Sequence, residues 1–308
     1  MTTFVALGDS ISLGVGDPAP EGGWRGWAAF LAQSLPGGQL VNLAANGARA
    51  ADVERTQLPR ALELRPDVAS VVVGINDTLR ADFDAASFQG ALAHVTGSLS
   101  AAGAEVLTMR LPDPGLMLGL PAALARPLGR RLQVINEAMD QVAERFGTLH
   151  FDAAADRACY DRQMWSADRL HPSERGHRYL AGRFHDQLTA RGHVLGPRPC
   201  AEPTSPPPTR LDTAAWMATK GTGWVLRRCT DLVPYLLYMA IRECWPGPGP
   251  QAQELPPLLL PEPAVPEPGP GPETGAPETA VPQIGAPETR VPETGAPETG
   301  APQIGHAP

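Results

Sequence analysis

Short apolar runs alternate with helical periodicities from residue 1 to about 192, and that alternation limits the fold more than any other feature of the chain. The clearest run is Val68–Val73, with valine at 68, 71, 72 and 73. An uninterrupted stretch of this kind fits a strand covered on both faces. Phe4–Leu7, Leu40–Leu43, Glu105–Met109 and Thr148–Phe151 are the other strand candidates. Trp24, Trp27 and Leu31 mark one face of a helix after Gly22-Gly23, and Val53, Leu58 and Leu62 mark a second, with Pro59 as its start or a kink. Phe88, Leu92, Val95 and Leu99 step by four, three and four. Leu128, Leu132, Ile135, Met139, Val142 and Phe146 continue that pattern through a longer helix. A last helix opens at Pro172 and turns Leu180, Phe184 and Leu188 inward.

Strands and helices in strict alternation predict a parallel sheet with helices on both faces. Right-handed crossovers restrict the topology further. The expected arrangement is a flavodoxin-like α/β fold of three layers, α/β/α, with a five-stranded parallel sheet in the order 2-1-3-4-5. In such a sheet the loops after the first three strands converge, and ligands bind beyond the carboxyl ends. Pro112–Pro127 breaks the alternation as a long apolar loop, expected either to wall an acyl site or to pack on the body.

Composition divides the rest. Residues 1–192 form the expected α/β body, and 193–208 read as a Pro-rich linker. Residues 209–245 form an amphipathic segment in which Arg227, Arg228 and Arg242 interleave with Trp216, Trp224, Leu226 and Leu236. A basic amphipathic helix can lie on a membrane surface or bind a protein, and docking on the body is the commoner outcome. Residues 246–308 hold 18 of the 35 prolines, with three decapeptide copies at Gly275–Ile284, Gly285–Thr294 and Gly295–Ile304. A segment so poor in apolar residues is expected to be a disordered acidic tail. That tail carries −7 of the formal net charge of −8, so the body is close to neutral, which argues against nucleic acid as a partner.

Nothing at Met1-Thr2-Thr3-Phe4 has the form of a secretory signal, and Leu232–Ile241, broken by Pro234, is too short to span a bilayer. A cytoplasmic location is the expectation. The four cysteines, Cys159, Cys200, Cys229 and Cys244, form no C-x-x-C pair and read as reduced thiols. No metal site and no cofactor are expected, since neither a ligand cluster nor a Gly-rich phosphate loop is present. Oligomeric state leaves no mark on the sequence.

Four segments fall at the expected carboxyl edge. Gly8-Asp9-Ser10 follows strand one, Asn42–Gly47 follows strand two, Gly74-Ile75-Asn76-Asp77 follows strand three, and Asp168-Arg169-Leu170-His171 precedes the last helix. Taken singly, each has a plain alternative. Ser10 could cap a helix, Gly47 could serve a turn, Asn76 could close an Asx-turn, and His171 could be a first-turn residue.

Taken together and in this order, the four segments resemble the SGNH (GDSL-type) hydrolase family. The resemblance covers residues 1 to about 192. It implies a serine ester hydrolase of the carboxylesterase, lipase or acetylesterase type, acting on a small-molecule or lipid ester. Ser10 would be the nucleophile, His171 its general base, and Asp168 the residue that orients His171. The backbone N–H groups of Ser10 and Gly47 and the side chain of Asn76 would form the oxyanion hole. Ile11, Ile75, Leu116 and Leu118 are expected to line an apolar acyl site, and Asp9 and Asp77 to brace loop backbone. Two other readings use the same chain. One is an acyltransferase with the same site, and the other is a scaffold or binding protein acting through the C-terminal regions.

Overall fold

The computed structural model describes residues 1–80, 82–206 and the isolated positions 209, 211, 218 and 255. The chain divides into two units, Met1–Leu259 and Leu260–Pro308, and every described residue lies in the first. The amphipathic segment expected at 209–245 and the tail expected at 246–308 lie outside the described residues, those isolated positions aside.

Five strands, β1 (Thr3–Gly8), β2 (Gln39–Asn42), β3 (Val68–Val72), β4 (Glu105–Arg110) and β5 (Leu149–Asp152), form one sheet in the order β2-β1-β3-β4-β5. All four pairings are parallel. The valine-rich run at 68–72 is buried throughout, as a strand covered on both faces must be. Among the described residues, nine α-helical stretches flank the sheet: α1 (Ser10–Leu13), α2 (Gly26–Ala32), α3 (Ala50–Asp52), α4 (Leu58–Leu64), α5 (Ile75–Thr78), α6 (Ala85–Ala101), α7 (Pro114–Leu118), α8 (Ala122–Phe146) and α9 (Glu174–Arg191). Trp27 on α2 meets Phe4 of β1 and Phe184 of α9 at ring-centroid distances of 6.0 and 4.9 Å, joining sheet and helices. No described helix is long and apolar enough to cross a membrane.

Three local readings change. Trp24 lies ahead of α2, not on it. It pairs with Pro18 in an isolated bridge and is 45% exposed. Asp17 holds this excursion closed by accepting from Gly26 N and from the Arg25 guanidinium, so α2 cannot start earlier. The helix through Val53 and Leu62 is interrupted by a π-helical turn at Val53–Gln57, in which Leu58 N donates to Val53 O. Pro59, which has no N–H to give, then occupies the first turn of α4. Most of Pro112–Pro127 is helical. Asp113 caps α7 by accepting from Gly115 N, Gly119 ends it in the left-handed region, and α8 begins at Ala122 and tolerates Pro127 inside it.

Residues 193–206, expected as a linker, run back over the body. Ser34 Oγ donates to Pro197 O at 2.8 Å, and Gly196 N donates to Ser34 O at 2.7 Å. Arg198 pairs with Asp186, and Thr204 and Ser205 donate to the carboxylate of Glu174. Prolines here hold an extended strap and do not mark a free spacer.

Candidate active site

Ser10 owes its position to a turn that few sequences can make. Gly8 ends β1 with φ of +134°, and a Cβ there would lie 2.0 Å from Val72 O. Asp9 then caps α1, its Oδ1 accepting from Ile11 N at 2.9 Å, and Ser10 opens that short helix. Asn42, at the end of β2, ties the far side down by donating from Nδ2 to Ser12 O at 2.8 Å.

The second turn spans Asp168 to His171. Arg169 adopts φ of +57°, and Ser166 N donates to His171 O at 2.9 Å. Asp168 Oδ1 accepts from Ser166 Oγ, Leu170 N and His171 N, and its Oδ2 lies 2.7 Å from His171 Nδ1. An ionised carboxylate only accepts, so Nδ1 carries the hydrogen and Nε2 is left as an acceptor. His171 Nε2 lies 3.0 Å from Ser10 Oγ, across 161 residues of sequence. Burial works to raise the Asp168 carboxyl. The hydrogen bond and charge of His171, with donors Ser166 and Leu170, outweigh it and bring it down to about 2.

Asn76 and Gly47 flank the Ser10 turn. Asn76, on α5, donates from Nδ2 to Ala48 O at 3.1 Å and, at 3.4 Å, to Asp9 Oδ2. Gly47 has φ of +80°, while a Cβ there would meet nothing within 4 Å. Conformation, not crowding by the protein, therefore demands glycine at this position. Asp77 accepts from Ala50 N and so braces the same loop. Asp9 and Asp77 are both pushed up to about 7, chiefly by burial.

Of the four apolar residues expected around the acyl group, Ile11 lines a cavity. Its volume is about 40 Å³, and Pro112, Cys159, Trp165, Pro172 and Tyr179 also face it. Ile75 packs half-buried against the core. Leu116 is 69% exposed and Leu118 half-buried, because α7 turns its other side onto α8. Among the described residues, no group of three or more His, Cys, Asp or Glu side chains could hold a metal ion.

Two polar residues of this neighbourhood belong to the core: His177, whose sequence setting allowed a surface or a core place, and Gln57, to which the sequence reading gave no role. His177 is fully buried on α9, accepting from Trp27 N through Nδ1 and lying 3.1 Å from Val15 O through Nε2. Burial pushes it down to about 4. Gln57 is buried against Gly8. Its spacing of four from Val53 puts it on the inward face of its helix, a signal that was there to be used.

Residues 6–179 match the GDSL-like lipase/acylhydrolase family. The chain belongs to that family. As a GDSL-like acylhydrolase it acts on ester bonds, and its substrates are small-molecule esters. Solved structures share the fold of the GDSL-like domain. One is LAE5, an α/β hydrolase enzyme from the metagenome of Lake Arreo, with 21% identity, a TM-score of 0.50, and coverage of 62% of this chain and 97% of that one. Another is the lipase/acylhydrolase from Enterococcus faecalis, with 19% identity, a TM-score of 0.50, and coverage of 65% and 100%. No curated protein matches the chain.

Proposed function

We propose that the protein is a serine esterase that works through an acyl-enzyme on Ser10. The observation that carries this reading is the unbroken chain Asp168 Oδ2–His171 Nδ1–His171 Nε2–Ser10 Oγ, with links of 2.7 and 3.0 Å. Ser10 Oγ bonds to the acyl carbon as its proton passes to His171 Nε2. The Ser10 and Gly47 N–H groups and Asn76 Nδ2 hold the resulting oxyanion. For Asn76, the 3.4 Å contact to Asp9 is the one exchanged. Collapse breaks the bond to the leaving oxygen, which takes the proton from His171. Water repeats the sequence in reverse and frees Ser10. Asp168 stays ionised throughout and stabilises the imidazolium.

The acyl group is a short one. Ile11 and Pro172 directly follow Ser10 and His171, and the cavity they help line is about 40 Å³. A cavity that small suits a short chain better than a long one. Rates on p-nitrophenyl esters of rising chain length should peak between acetate and butyrate, and a maximum at octanoate or beyond would exclude the assignment. For the nucleophile, a fluorophosphonate should label the wild type and leave Ser10→Ala unlabelled. Equal ester turnover by both proteins would mean that Ser10 is not the nucleophile.

A further inference from the structure

Taking the Ser10 chemistry above as its basis, we propose that Gln57 is a positioning residue for the nucleophile: its amide stands in for the strand partner that Gly8 lacks and so sets the direction in which the Ser10 turn leaves β1. The need arises because β2 stops early. Its pairing with β1 ends at Ala6↔Asn42, and the next bond is Leu43 N to Ala6 O at 2.9 Å. β1 runs on to Gly8, whose N–H then has no strand on that side. Gln57 fills the gap with both ends of its amide. Gly8 N donates to Gln57 Oε1 at 2.8 Å, and Gln57 Nε2 donates to Gly8 O at 2.9 Å. A primary amide carries the donor and acceptor of a peptide unit, so one side chain continues the ladder for one residue.

The helix is adapted to deliver it. Gln57 is the last residue of the π-helical turn, only 4% exposed, between the buried Val53 and Leu58. Such widened turns recur at functional sites. On the opposite edge Gly8 pairs with Val72, and Asp9 N donates to Val72 O at 3.2 Å. Gly8 is therefore held from both sides in the one conformation, φ of +134°, that lets Asp9 cap α1 and Ser10 begin it. Gly8 O has a second donor in Ala45 N at 3.1 Å. Gly8 N relies on Gln57, and without it a buried N–H is orphaned and the turn is free to rotate.

The test uses the full chain with three variants. Gln57→Met keeps length and removes the amide, Gln57→Glu keeps the acceptor and loses the donor when ionised, and Leu99→Ala cuts a fully buried core residue of α6. The readouts are thermal midpoint, kcat and KM on p-nitrophenyl acetate, and the rate of fluorophosphonate labelling. Gln57→Met should lower kcat and the labelling rate about 10- to 100-fold, with KM within about twofold, because a small misplacement of a nucleophile acts on the chemical step. Leu99→Ala should lower the midpoint and leave kcat near wild type. The ratio of the Gln57→Glu labelling rate to that of wild type should rise as pH falls from about 8 to 5, because burial at this position raises a glutamate carboxyl into that range and it regains a proton to donate. Wild-type kcat in Gln57→Met despite a lowered midpoint would overturn the proposal. If that variant does not fold, a flat Gln57→Glu ratio overturns it instead. An unlabelled wild type would overturn the serine chemistry itself, a result distinguishable from both.

Discussion

Two carboxylates stand on the two turns that meet at Ser10, and their surroundings push them in opposite directions. Asp9 is fully buried and sits near 7, while Asp168, partly buried, sits near 2. Burial alone would raise both. What separates them is the supply of donors. Asp9 receives Ile11 N at 2.9 Å and Asn76 Nδ2 at a long 3.4 Å. Asp168 receives Ser166 Oγ, two backbone N–H groups and His171 Nδ1, all within 3.0 Å. One turn thus supplies the fixed negative charge an imidazolium needs. The other braces the Ser10 turn with a carboxyl that gives up its proton reluctantly.

The sharpest way to break the contrast is to neutralise each acid in turn. Asp168→Asn should lower kcat by about 10⁴-fold, because an amide no longer selects the His171 tautomer or balances its charge. Asp9→Asn, which keeps an acceptor for Ile11 N, should stay within about tenfold of wild type at pH 7. Equal losses in steady-state kinetics would erase the distinction between the two turns. Asn76→Ala comes next, with an expected loss of about 10²–10³-fold in kcat, the usual effect of one oxyanion donor. An unchanged kcat would remove Asn76 from the hole.

Glu174 extends the Asp168 side of the comparison. It is buried at the start of α9, and donors from Thr204, Arg178 and Ser205 outweigh that burial and bring it to about 2. Two of those three donors come from the strap. A fragment ending at Gly192 should therefore melt about 5–10 °C below one ending at Pro206, by calorimetry. Coincident melting would show that the strap adds nothing.

The smallest effect is on stability against pH. Asp168 and Glu174, held low, contribute stability present above about pH 4 and lost toward pH 2. Asp9 and Asp77, held high, contribute in the opposite sense, fully below about pH 4 and less as pH rises through about 7. Asp77→Asn, neutral at every pH and still an acceptor for Ala50 N, should melt above wild type at pH 8 and converge with it below about pH 4. A gap independent of pH would argue that Asp77 is ionised throughout.

Much of this molecule could be read from the sequence because its strands are simple. Val68–Val72 is buried on both faces and has no polar alternation to confuse it, and the four edge segments follow from the strand order. What could not be read depends on side-chain bonds across long separations. Trp24 keeps helical spacing with Trp27, but Asp17 closes a hairpin ahead of Gly26 and takes Trp24 off the helix. The prolines of 193–206 suggest a spacer, and only the positions of Ser34 and Glu174 make them a strap. Leu116 is apolar, yet α7 turns it outward. Gln57 is polar and inward, a pattern that makes sense only once the short reach of β2 is known.

The sequence separation of 161 between Ser10 and His171 also orders events in time. Gly16 approaches the chain just after His171 so closely that a Cβ on it would lie 2.1 Å from Pro172 O. The first loop of the protein thus receives a close neighbour from the turn that precedes α9. At ribosomal speeds of ~5–20 residues per second, the serine waits on the order of ten seconds for its imidazole. A nascent chain carries only an inert hydroxyl during that interval, and reactivity toward a serine-directed probe would report the moment the whole sheet has closed.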